Sequence, residues 1–326
     1  PEEYRDKFFV SGSLCIPDEG ASVQMKGVMF RKHIDRASVA RLIFTNRERT
    51  TIHVTINDTI HKVYNPEPGP EVQQIDIHTP IRSLEVRIAN PAGFIGYGIV
   101  FENKNGVSLD NYSIRGNSGL ALFGTNAAVN ARIGAMRGYD LIILQYGLNV
   151  MSADVLHYGS YEKAFIKVIN YMKRCFPNSS ILVMGVCDRS TQRDGEFVTM
   201  PAVRGMIEAQ RNAARETGVA FWNTFEAMGG ENSMVEFVRK NWAAKDYTHL
   251  GYAGGKFIAG KLVGNWMQGV EAEQQRRDRI EEERRKNEML HYNRNDTIPG
   301  TIETETETDS DADADTTFTT NEFAQP

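Results

Sequence analysis

A chain of 326 residues, 41% apolar and 24% charged, is long enough for two ordinary domains, each with its own core. No apolar run is long enough for a membrane-spanning helix. The net charge of −5 is uneven: residues 301–326 carry eight acids and neither Lys nor Arg, which leaves the remainder slightly basic and gives no argument for nucleic acid as a partner.

From the start, short β-branched segments follow one another: KFFVSGSLCI, ASVQMKGVMF, SVARLIFT, TIHVTIND, HKVYN, VQQIDIHT, SLEVRIAN and GYGIVFEN. Many alternate apolar and polar residues, with Gly, Pro, Asn or Asp in the gaps. Eight such strands over residues 1–104 predict a β-sandwich of jelly-roll type, with YNPEPGPE an exposed turn.

From about Gly106 the pattern becomes β-α. GVSLDNYSI reads as a strand and 120–137 as a helix. YDLIILQYG is a continuous apolar run, as in a strand buried on both faces. YEKAFIKVINYMKRCF has helical spacing closed by Pro177. Strand SILVMGV, helix 201–217 ending at Gly218, strand VAFWNT and a helix over 251–270 complete an α/β domain at 105–270, with helices on both faces of a parallel sheet. Residues 271–294 carry opposite charges at i,i+3 and i,i+4 spacing and predict an exposed helical extension, with room for a protein partner. The acidic stretch 295–326 reads as disordered.

The spacing D-x-x-H occurs three times, as Asp58/His61, Asp154/His157 and Asp246/His249. Asn57-Asp58 suits a hairpin turn. Asp154 fits an N-cap before the helix at 160 as well as it fits a substrate edge. Asp246 and His249 lie after the last α/β strand, where open α/β sheets bind ligands. A carboxylate there can fix the imidazole tautomer and leave its other nitrogen free as a base. The glycines of THLGYAGG let a helix start close to that loop. Gly116 in YSIRGNSG and Asn149 in LQYGLNV fall at the same edge, where a backbone N–H and a side-chain amide could form an oxyanion hole. Taken singly, such a Gly is usually a turn and such an Asn a cap. Asn117, Ser118 and Tyr146 are candidates for the pocket wall, with packing or turn roles open to each. Cys15, Cys175 and Cys187 form no ligand or disulfide pattern and read as buried thiols. The histidines lack ligand spacing, so neither metal nor other cofactor is expected.

In combination these stretches resemble the SGNH (GDSL-type) hydrolases, serine esterases on a flavodoxin-like α/β fold. Gly116 matches the second block of that family, Gly147-Leu148-Asn149 the G-x-N of the third, and Asp246–His249 the D-x-x-H of the fifth; Val150 stands where an Asp is usual. The resemblance covers roughly residues 106–270 and is nearest to exported bacterial esterases that carry a β-sandwich module. It implies a carbohydrate-binding-like role for that module and O-acetyl groups on a cell-wall or other polysaccharide as substrate. It also implies export to the periplasm or cell surface.

The first block, a strand ending in Gly-Asp-Ser, is absent. Ser13 in VSGSL lacks the Asp, and Ser118 falls where the family places its oxyanion Gly. The family sheet has five parallel strands, and four are readable. Because the chain starts at Pro1 and not at Met, the serine strand is expected upstream, in a longer esterase. The rival readings are a non-catalytic glycan-binding protein with a degenerate hydrolase domain, and a scaffold that binds partners through residues 271–290 and the acidic tail.

Overall fold

The computed structural model describes residues 2–28 and 35–295. Its first half holds seven strands: β1 (Ser22–Lys26), β2 (Ala37–Asn46), β3 (Thr51–Ile56), β4 (Ile60–Tyr64), β5 (Gly69–Ile81), β6 (Ser83–Ala89) and β7 (Phe94–Glu102). They form two antiparallel sheets, ordered β1-β6-β3-β4 and β5-β2-β7. Alternate residues of both sheets meet in one apolar cluster, with Ile52, Val54, Ile56, Leu84 and Val86 from the first and Leu42, Phe44, Ile77 and Ile81 from the second. The opposite face of β5-β2-β7 is buried too, since Ile43 and Val72 join the core of the α/β region. Asn57 and Asp58 both have positive φ, as a type I′ hairpin turn requires, so this D-x-x-H is the predicted turn.

Two of the predicted strands are absent. KFFVSGSLCI contributes only an isolated bridge, Cys15 to Gly96. Phe9 and Val10 are instead consumed by packing against the α/β core, and the Val10 N–H is taken by the Asn130 side chain at 3.0 Å. Cys15 is exposed rather than buried, while Cys175 and Cys187 are buried as expected. GVSLDNYSI is irregular. Its apolar residues change phase between Leu109 and Tyr112, and Val107 is 100% and Leu109 83% exposed: a strand needs a neighbour for its backbone groups, and none pairs with this one among the described residues. The segment is held instead by Asp110, which accepts from Tyr139 at 2.6 Å and from Arg137 at 3.1 Å. Arg137 is buried and also pairs with Glu102 at 2.7 Å.

The α/β region has three parallel strands, β8 (Leu141–Leu144), β9 (Ser180–Met184) and β12 (Ala220–Trp222), ordered β12-β9-β8. A hairpin of β10 (Ser190–Arg193) and β11 (Glu196–Thr199) rises between β9 and β12 in sequence. The helices are α1 (Ala127–Arg137), α2 (Gly159–Cys175), α3 (Ala202–Thr217), α4 (Thr224–Met228), α5 (Ser233–Arg239) and α6 (Tyr252–Asn295). Helix 120–137 is divided: a 3-10 turn at Leu120–Gly124 precedes α1, which is capped by the Asn126 side chain. Helix α3 ends where predicted, on Gly218 at φ 64°. Asp154 is not the cap of α2; that position belongs to Tyr158.

Ile181 and Val183 of β9 face α2 and α3 in one apolar core. Met184 faces the other way, onto Met234 and Phe237 of α5 and Ile258 of α6. On β8 the same division fails: Leu144 is buried on the first face, but Leu141 and Ile143 on the second are 38% and 36% exposed. The chain is compact to Gly264, with a second unit from Asn265. In place of a helix ending at 270, α6 runs on through the charged stretch, where pairs such as Glu281–Arg285 and Glu282–Lys286 repeat at i,i+4. The expected acidic tail lies, from residue 296, outside the described residues.

Candidate active site

Asp246 and His249 make a direct pair, with Oδ2 to Nδ1 at 2.7 Å. The other carboxylate oxygen accepts the backbone N–H groups of Thr248 and His249, each at 3.0 Å. These bonds hold the Asp246 carboxyl below the usual carboxylate range, the His249 side chain being the largest cause. An ionised carboxylate accepts from Nδ1–H, which leaves the Nε2 edge of the ring facing outward on a side chain that is 69% exposed. A neutral imidazole held in this way can act as a general base.

The loop that makes this pair is strained. Tyr247 lies at φ 54°, a region bulky residues avoid, at a cost on the order of 1–3 kcal/mol. That reversal turns the two following N–H groups back onto Asp246. The predicted role of the glycines also holds in a particular form: a Cβ on Gly254 would stand 2.3 Å from the Trp242 carbonyl. Only glycine lets α6 begin this close to the preceding turn.

Gly116 has φ 78° and sits in a turn closed by Asn117 N–H to the Ile114 carbonyl at 3.3 Å. The Asn149 amide donates to the Asn117 carbonyl at 3.2 Å, which sets Asn149 beside the turn that holds Gly116. Tyr146 packs its ring under Gly119, 3.1 Å from where a Cβ would be. The Asn117 side chain accepts from the Gly119 N–H at 2.7 Å, and Ser118 Oγ accepts from Leu120 N–H at 3.4 Å. The Gly of G-x-N is sterically required. At Gly147, φ is 109°, and a Cβ would meet Gln210 and Val186 at 2.8 Å.

No hydrogen bond joins Asp154 to His157 among the described residues, and both are exposed. Ser13 lies exposed in a turn with Ser11. No hydroxyl bonds His249 Nε2 among the described residues. Two cavities, of about 170 and 490 Å³, are lined by other residues.

Several contributors went unnoticed in the sequence. Gln210 is fully buried and bridges the ends of β8 and β9, donating to Tyr146 O at 2.8 Å and accepting from Val186 N–H at 2.9 Å. Arg189 donates to the carbonyls of Leu148 and Met151 at 3.3 and 3.4 Å. Its neighbour Ser190 donates its N–H to Tyr247 O at 3.0 Å. These two residues tie the loop of Asn149 to the loop of His249. The hairpin they open was legible: Asp194-Gly195, between alternating residues, is a strong two-residue turn signal, and both have positive φ. Nothing in a single sequence announces Gln210 or Arg189.

No protein-family model and no curated protein sequence matches the chain. Among solved structures it is similar to one described as a peptidoglycan O-acetylesterase in action, with TM-score 0.61 and 21% identity over 81% of this chain and 72% of that one. Weaker likenesses include a GDSL-like lipase from Parabacteroides merdae, with TM-score 0.34 and 15% identity over 45% and 66% of the two chains. Another is an acetyl xylan esterase, with TM-score 0.34 and 16% identity over 47% and 77%. What the first of these shares with the present chain is architecture: a parallel sheet with helices, joined to antiparallel sheets. The chain therefore shares the fold of that solved structure over most of its length.

Proposed function

We propose that the chain belongs to a serine esterase that removes O-acetyl groups from a cell-wall or other polysaccharide. The observation that carries this is the Asp246–His249 pair, with Nδ1 engaged and Nε2 facing outward. A serine hydroxyl attacks the acetyl carbonyl, its proton passing to Nε2, and Asp246 steadies the imidazolium. The Asn149 amide and the Gly116 N–H stabilise the oxyanion. Collapse expels the sugar oxygen, which takes the proton from His249. A water activated in the same way then releases acetate and frees the serine.

The nucleophile belongs, in this proposal, to a Gly-Asp-Ser strand upstream that pairs with β8. Support comes from the edge itself: β8 ends the sheet among the described residues, and Leu141 and Ile143 leave apolar surface uncovered there. The segment 107–114 adds its own unpartnered apolar residues. Asp110 anchors it near Tyr139, before β8, and Asn149 anchors it at Asn117, beyond β8. One more strand would give both edges a partner.

The similarity to a peptidoglycan O-acetylesterase supports an acetylated glycan as substrate, which the two antiparallel sheets would help to bind. Such a substrate goes with export, and the exposed charged helix beyond 271 offers a surface for a protein partner. A non-catalytic glycan-binding protein is the second reading, favoured by the lack of a hydroxyl on Nε2 among the described residues. Acetate release from an O-acetylated polysaccharide decides between the two, using protein that includes its upstream sequence. Release that disappears in His249→Ala is expected; retained glycan binding without release would establish the second reading.

A further inference from the structure

The β10–β11 hairpin has no part in the proposed chemistry, yet it meets the catalytic loop at two points. At its base, Ser190 N–H donates to the Tyr247 carbonyl at 3.0 Å. Higher up, the Phe197 ring stacks on the Tyr247 ring, with centroids 3.7 Å apart and planes within 10°. The hairpin is itself firmly held. Met200 N–H donates to Arg189 O at 2.7 Å, closing the base. Thr199 and Asn232 exchange two bonds, at 2.9 and 2.7 Å. A rigid element thus grips both the backbone and the ring of the one residue in the Asp246–His249 loop whose conformation is unfavourable.

That conformation is what brings the Thr248 and His249 N–H groups onto Asp246. Without a grip, a Tyr at φ 54° would relax toward negative φ and carry both N–H groups away. We infer that the hairpin is the positioning element of the dyad: Phe197 and Ser190 hold Tyr247 in the left-handed conformation that lets Asp246 clamp His249. Phe197 is then a positioning residue, acting through Tyr247 and not through substrate. The inference rests on Asp246–His249 being the working dyad, but its structural half can be read without any turnover.

Glycine adopts positive φ without strain, so a glycine at 247 needs no support. This gives a test by suppression. Amide hydrogen exchange at Thr248 and His249 is measured in Phe197→Ala, Phe197→Tyr, Tyr247→Gly and the double variant Phe197→Ala/Tyr247→Gly, with amides of α3 as internal reference. Phe197→Ala should speed exchange at the two amides by about three- to tenfold, the range an aromatic pair supplies. Phe197→Tyr should restore protection, and Phe197→Ala should have no effect in the Tyr247→Gly background. An equal loss in both backgrounds, or no loss in either, overturns the inference. In the active esterase, Phe197→Ala should lower kcat on p-nitrophenyl acetate with KM unchanged. A raised KM at constant kcat would make Phe197 a substrate contact and refute the positioning role. If no turnover is found at all, the exchange data still decide the structural claim, and only the esterase reading falls.

Discussion

β8 and β9 lie side by side with matching residues, and their surroundings differ. Ile143 and Leu182 face each other across the ladder. Leu182 is 4% exposed, with α5 and α6 covering that side of β9 at Met184. Ile143, one strand away on the same face, is uncovered. Apolar content alone therefore does not make a core: a strand is buried when neighbours exist on its edges and both faces. The segment 107–114 repeats the lesson, since it is as apolar as many strands but has no pairing partner among the described residues.

Four experiments would break or sharpen that comparison. The largest effect is expected at the dyad, which the well-supported side of the sheet holds in place. In the active protein, Asp246→Asn should lower kcat on the order of 10³–10⁴-fold through loss of tautomer and orientation. Asn149→Ala should cost about 10²–10³-fold; steady-state kinetics on a small acetate ester measures both.

Next comes the ladder pair itself. Leu182→Ala should destabilise by about 2–5 kcal/mol, as a buried truncation does. Ile143→Ala in the present chain should stay within about 1 kcal/mol, since its side chain is already partly wet. Once an upstream strand covers the edge, Ile143→Ala should approach the cost of Leu182→Ala. Urea unfolding of these variants and their unsubstituted parents reads this directly; equal costs in the present chain would break the comparison.

Smaller again is the thiol prediction. Cys187 is fully buried, and burial pushes its thiol up to about 12, while Cys175 is buried and Cys15 exposed. A disulfide reagent at neutral pH should modify one thiol in the native protein and three after unfolding.

The smallest effect concerns pH. The Asp246 pKa is lowered in the folded state, so its contribution to stability is complete above about pH 4, the value of an unfolded Asp, and fades as pH falls through the lowered value. Because the side chain is half exposed, solvent screens most of it. Carboxyl carbon NMR should show Asp246 titrating below the value of an unfolded aspartate, and losing that shift in His249→Ala.

Much of the site was readable because local chemistry dictated it. Asp246 and His249 are three residues apart and bond through one turn, Gly147 admits no Cβ, and Gly218 ends α3 as its helical pattern requires. The β-strands from Ala37 to Glu102 were readable because their alternation finds partners within the chain. What escaped was long-range. Asn130, 120 residues along, takes the N–H of Val10 that a strand would have used. Gln210 and Arg189 connect loops that only the fold brings near. The Tyr247 conformation contradicts its own propensity and is intelligible only once Phe197 is seen beside it.

The most direct test of the central claim is p-nitrophenyl acetate hydrolysis by the present chain and by the same chain extended upstream through its natural reading frame. Activity confined to the extended protein, abolished by His249→Ala, is the expected result. An extended protein that lacks activity, or a present chain that hydrolyses the ester equally well, would contradict a nucleophile carried on a strand beside β8.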